Sequence, residues 1–252
     1  MLLDLHEQES KLREFLGLAS DTPLLSPEAL IPDVTPAIAE HLARFNIEWY
    51  PLPSAEAVPF DEAYLARLYP MRARDFAQPD YHGHSLYEGL ATGHRKHQGR
   101  IIGVETTRKP RYHPDNRQYY GTPYGFDATA DPFAPYLKQA GFRQTTRYAH
   151  NYLPLRELGN LVNNDWRARS WLPQGYRLTI CPPAVFNLVG TIFHPEWSET
   201  EALELGFYRD EKGNATCYAV GSNELGDYSF IQRIEAESDW TYLGFRTALV
   251  PE

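Results

Sequence analysis

The chain has 252 residues, 42% hydrophobic and 23% charged, with a net charge of −9 and a pI near 5.5. These values lie in the range of folded globular proteins, and no run approaches the ~18 apolar residues of a membrane-spanning helix, so a role within a membrane is not expected. Met1 to Leu18 lacks the basic start and apolar middle of a secretory signal, and Cys181 and Cys217 are too few for a disulfide framework, so a cytoplasmic location is expected.

The first 70 residues read as helices punctuated by proline. Leu5, Leu12, Phe15 and Leu16 share one helical face, Ile38, Leu42 and Phe45 a second, and Phe60, Tyr64, Leu65 and Leu68 a third that stops at Pro70. Trp49 to Pro53 and the Pro23/Pro27/Pro32 series read as extended connectors, because proline and the residue before it resist the helical region. A helix is expected over Ser85–His97, closed by Gly99, then a strand over Arg100–Thr107 and a long Tyr- and Pro-rich loop through Gly125. Asp131 as N-cap, Pro132 at the first helical position and Gly141 as the stop predict a short helix, with a strand over Arg143–Leu153 after it. Beyond residue 155, apolar runs at 176–181, 185–193, 215–220, 228–234 and 242–250, separated by turn clusters such as Asp210–Asn214, read as antiparallel strands.

The expected fold class is therefore α+β, with a helical N-terminal segment, a mixed α/β middle and an antiparallel β-rich C-terminal part. A single core stops growing near ~250–300 residues, and the change of character suggests two regions, 1–154 and 155–252.

Charge locates the functional region. Residues 81–180 hold 14 Lys/Arg against 7 Asp/Glu, while both flanks are acidic. Such a field concentrates phosphate or carboxylate groups. The acidic C-terminal region is not expected to share in anion binding. Arg95, Lys96, Arg100, Arg108, Lys109, Arg111 and Arg117, interleaved with Tyr112, Tyr119, Tyr120 and Tyr124, have the composition of a phosphate-contacting surface with stacking platforms, or of a solvated face paired with the acidic flanks. Five of nine histidines, His82, His84, His94, His97 and His113, cluster in the same stretch. Metal binding is a possible role for them, opposed by the neighbouring cations and by the lack of a known ligand spacing.

The order of turn, helix, strand, long loop, capped helix and Gly-Phe resembles the second half of the GCN5-related N-acetyltransferase family over residues 76–153. Gln78 and Gly83 match the first and last positions of its pyrophosphate signature, with Tyr81 where the family has glycine. Tyr136 precedes Gly141-Phe142 much as the family's tyrosine precedes its Gly-Phe pair. The resemblance implies acetyl-CoA as cofactor, its diphosphate held by Gln78, Tyr81, Gly83, His84 and Ser85 with Arg95, Lys96 and Arg100 adding positive potential. It also implies a small-molecule or peptide amine as acceptor, Glu105 as the carboxylate assisting deprotonation, and Tyr136 as the acid for the departing thiolate. Glu105 pairing with an arginine and Tyr136 simply packing are the structural alternatives. Pro182–Thr191, Gly221-Ser222 and Leu243–Ala248 resemble scaffold segments of the formylglycine-generating-enzyme and C-type-lectin fold, which implies no activity here. An N-acyltransferase, a nucleic-acid or polyanion-binding protein, and a histidine-based metal hydrolase are the readings in that order.

Overall fold

A computed structural model describes residues 5–68, 86–107, 131–142, 152–195, 197, 203–209, 215–221, 230–234 and 244–252. Local chemistry sets the helix ends. α1 (His6–Leu16) buries Leu12 and Leu16, four residues apart, and stops at Gly17, whose φ of 67° lets its N–H reach the Glu14 carbonyl while the Leu18 N–H returns to Arg13. Thr35 opens α2 (Pro36–Arg44): its Oγ1 accepts the Ile38 N–H at 3.3 Å, and Pro36 occupies the first turn, where no N–H is needed. After β1 (Ile47–Pro51), Asp61 caps α3 (Glu62–Leu68) by accepting the Tyr64 N–H at 2.9 Å. The connector expected around Trp49–Pro51 is thus a strand, and its proline is tolerated because β1 is an edge strand.

α4 (Leu86–Arg95) and β2 (Ile101–Glu105) follow the expected helix-Gly99-strand order. α5 (Ala134–Gln139) begins later than Asp131 suggests: Asp131 Oδ1 accepts the Phe133 N–H at 3.0 Å and its carbonyl accepts from Ala134, so it caps a turn ahead of the helix. α6 (Tyr152–Ala168) corrects the end of the expected Arg143–Leu153 strand, since Tyr152 and Leu153 open a 17-residue helix; residues 143–151 lie outside the described part.

The chain continues through β3 (Tyr176–Ile180), α7 (Pro183–Phe193), β4 (Leu203–Arg209), β5 (Ala215–Gly221), β6 (Phe230–Ile234), β7 (Gly244–Phe245) and β8 (Thr247–Pro251). The run 185–193 is therefore helical, not a strand. α7 buries every residue from Pro183 to Gly190, and a helix enclosed on all sides is apolar all round, without the 3.6-residue stripe that marks a surface helix.

Among the described residues two four-stranded sheets form, ordered β1-β2-β8-β3 and β6-β5-β4-β7, antiparallel throughout except for the parallel β4/β7 pair. The α+β class holds. The boundary expected at 154/155 falls inside α6, and the first sheet takes β1 and β2 from before it and β3 and β8 from after it. A single residue, Arg246, carries the chain from β7 in one sheet to β8 in the other.

Both sheets are covered on both faces. Tyr50, Ile102, Val104, Ala248, Val250, Tyr218, Val220 and Ile231 meet α1, α3, α4 and α7 on one side. Ile47, Trp49, Ile101, Leu178, Ile180, Leu249, Leu205, Cys217 and Ala219 meet α2, α5 and α6 on the other. Gly103 permits this closeness in β2, where a Cβ would lie 3.0 Å from Ile47 Cγ2 and 3.2 Å from Leu249 Cβ.

The seam is polar and buried. The Arg246 guanidinium, 1% exposed, holds both carboxylate oxygens of Glu204 at 3.2 and 3.3 Å, donates to the Glu105 carbonyl, and lies 3.7 Å over the Trp197 ring. The Glu105 carboxylate accepts the Thr247 N–H at 3.1 Å and its hydroxyl at 2.8 Å. A planar, delocalised cation is the side chain suited to satisfy a buried carboxylate bidentately while stacking on an indole.

Candidate anion-binding site

The site grows from the end of α4. A Cβ at Gly93 would lie 1.9 Å from Cγ of Tyr208, so only glycine lets α4 rest on that ring. Four residues on, in the turn continuing the helix, His97 faces the same ring, with centroids 6.5 Å apart and planes 28° from parallel. Tyr208 is fixed from below by its hydroxyl, which accepts the Ala184 N–H at 3.1 Å at the start of α7. Gly99, at φ 67°, then reverses the chain into β2.

Beside this stack lies a cavity of about 280 Å³. The α4 turn contributes Lys96 and His97; β3 contributes Arg177, Thr179 and Ile180; Pro182, Phe207, Tyr208 and Val250 complete the wall. One side is cationic and the other apolar and aromatic, and no carboxylate lines it among the described residues. The alternation of β3 turns Tyr176 and Leu178 into the core while Arg177 stays exposed and Thr179 half-buried. Burial first, and then the positive charges of Arg177, Lys96 and Arg100, hold the His97 imidazole down to about 4, so it is neutral at pH 7.

Of the residues expected to hold a cofactor, Lys96 lines the cavity. Arg100, half-buried, adds to the potential at His97 and directs a guanidinium N–H to the Glu28 carbonyl at 3.4 Å; Arg95 is exposed and does not line the cavity. Gln78, Tyr81, Gly83, His84 and Ser85 lie outside the described residues, as do Arg108–Arg117 and His82, His84 and His113.

The two residues expected to do chemistry are placed elsewhere. Glu105 is fully buried, and besides Thr247 it accepts a hydrogen bond from the Thr107 hydroxyl at 3.0 Å. Tyr136 donates to Asp165 on α6 at 2.6 Å, and burial followed by that carboxylate raises its phenol to about 12. Neither lines the cavity.

His94, on α4, is enclosed against Phe60 and Tyr64, with neither ring nitrogen hydrogen-bonded, and burial holds it near 3. Among the described residues no group of three or more His, Cys, Asp or Glu could hold a metal. Cys181 and Cys217 are free and buried, and the Pro182–Thr191 segment is mostly the buried helix α7. Trp197, between α7 and β4, is fully buried.

Sequence reasoning missed Arg177, Thr179, Phe207 and Tyr208. The C-terminal region, expected to stay apart from anion binding because of its overall charge, builds most of the cavity wall. Arg177 belongs to the basic stretch 81–180, but its local signal is only one polar residue alternating in an apolar strand. No protein-family model, curated protein or solved structure matches the chain.

Proposed function

We propose that this protein binds a compact anionic small molecule in the cavity between the α4 turn, β3 and β4. The observation that carries the reading is the convergence of Lys96 and Arg177, from distant parts of the chain, on one space that also holds a neutral imidazole and an aromatic wall. Arg177 supplies a planar fork suited to phosphate or carboxylate oxygens, Lys96 a point charge, Thr179 a hydroxyl, and Phe207 and Tyr208 an apolar surface for the body of the ligand. A space of about 280 Å³ is at the small end of ligand pockets, which run roughly 300–1,000 Å³, and so favours a metabolite-sized molecule over a nucleic acid strand.

The diphosphate of acetyl-CoA belongs to this ligand class, which keeps acyl transfer to an amine as a second reading, favoured by the position of Lys96. That reading needs an acid and a base at the cavity other than Glu105 and Tyr136. The test is a thermal-shift screen with inorganic phosphate, small phosphate esters, CoA, acetyl-CoA and a short oligonucleotide, followed by calorimetry. Charge-assisted hydrogen bonds contribute about 1.5–3 kcal/mol each, so Lys96→Ala and Arg177→Ala should each weaken a phosphate-bearing ligand roughly tenfold or more. Stabilisation by the oligonucleotide alone would overturn the small-molecule reading.

A further inference from the structure

We propose that the ligand of this cavity is an amphipathic anion that enters tail first: an apolar tail of about six carbons packs against the buried wall, while its anionic head is held by Lys96 and Arg177 at the mouth. The inference rests on the anion-binding reading above and adds the class of the ligand and its direction of entry.

Polarity changes with depth. Lys96 and Arg177 are exposed, His97 and Thr179 are half-buried, and Ile180, Pro182, Phe207, Tyr208 and Val250 are buried. The chain itself sets this order: Arg177 and Thr179 share one face of β3, about 7 Å apart at ~3.3 Å per residue, and Cys181-Pro182 then leads into the buried helix α7. β4 closes the apolar end, because Gly206 brings its backbone so near that a Cβ there would lie 3.0 Å from the Cys181 carbonyl oxygen and 3.0 Å from Pro183 Cγ. The Tyr208 hydroxyl is turned to the Ala184 N–H, which leaves its ring to the wall.

A bare inorganic anion at the mouth makes no use of this wall, whereas an attached tail takes both the wall and itself out of water. That gain is made in the buried half of the cavity and does not depend on what else Lys96 and Arg177 touch at the surface. Volume sets the tail length. An apolar cavity of about 150 Å³ holds benzene, so one of about 280 Å³ has room for roughly eleven non-hydrogen atoms, the size of hexyl phosphate.

Calorimetry of the full chain with methyl, butyl, hexyl and decyl phosphate varies the tail at constant head. Affinity should rise by up to about fourfold per methylene, and at least ~tenfold in all from methyl to hexyl, then level off at decyl, whose last carbons stay in water. The heat-capacity change of binding should grow more negative from methyl to hexyl, the mark of apolar burial. Hexanol, which has the tail without the head, should bind more weakly than hexyl phosphate. Phe207→Leu should lower the hexyl-to-methyl affinity ratio at least ~threefold. The ligand series is read on the wild-type protein and stands whether or not that variant folds.

Equal affinities for methyl and hexyl phosphate, with the same heat-capacity change, would overturn the tail while leaving the anion site standing. Continued tightening from hexyl to decyl would overturn the short, enclosed tail in favour of a long lipid chain. Failure of every phosphate to bind, or hexyl phosphate binding indifferent to Arg177→Ala, would overturn the anion site and this inference with it.

Discussion

Replacing Arg246 with methionine tests whether the buried seam holds the two sheets together. The substitution keeps most of the apolar volume of the side chain but removes the guanidinium from Glu204, which is 1% exposed, from the Glu105 carbonyl and from the face of Trp197. Breaking a buried pair by deleting one partner costs about 3–5 kcal/mol, because the remaining carboxylate stays desolvated. Against a total stability of about 5–15 kcal/mol this is a large fraction. Urea unfolding should show a fall in midpoint at constant slope. Adding Glu204→Leu to Arg246→Met removes the stranded carboxylate and should recover at least ~2 kcal/mol, the coupling a double-mutant cycle measures. If Arg246→Met lies within about 1 kcal/mol of the wild type, or the second substitution only adds to the loss, the argument from buried charge pairing fails.

Other outcomes follow from the same geometry. His41, buried and stacked on Trp171 at 4.2 Å, is held near 4 by burial first and then by Arg44, so the unfolded chain binds a proton there below about 6.5 that the folded chain refuses. Its contribution is complete above pH 6.5 and is lost as pH falls towards 4, about 3 kcal/mol in all; His41→Phe should lower the acid-unfolding midpoint seen by circular dichroism. Gly93→Ala drives a methyl into the Tyr208 ring and should cost about 1–3 kcal/mol in urea unfolding, with weakened anion binding because the ring beside His97 must move. Glu105→Gln keeps the shape but weakens the acceptor for Thr247, so it should cost about 1–3 kcal/mol while anion affinity measured by calorimetry stays at the wild-type value.

What could be read from the sequence was what chemistry writes locally. Thr35-Pro36 at the start of α2, Gly99 between α4 and β2, and the hydrophobic stripes of α1 to α3 all stand where their residues demand. Lys96 was legible because its charge sits in a basic run. The run 185–193 was not, since a short apolar segment enclosed on all sides has neither the strand nor the helix period. Its length of 11 residues and the prolines opening it were the only cues to a helix. Arg177 and Tyr208 were illegible for a different reason. Arg177 joins Lys96 because β8 enters the first sheet between β2 and β3, and Tyr208 because β4 of the second sheet packs against α4. Glu105, a carboxylate on a strand beside a basic run, reads as a base, and its hydrogen bond with Thr247 was illegible because that residue lies 142 positions away.

The central claim is that the anion is gripped inside the cavity and not on the basic, Tyr-rich strip that composition alone suggests. Calorimetric titration of sulfate into Arg177→Ala and, in parallel, into the triple variant Arg108→Ala, Lys109→Ala, Arg111→Ala separates the two most directly. The account predicts at least a roughly tenfold loss of affinity for the first and wild-type affinity for the second. The reverse pattern would contradict it.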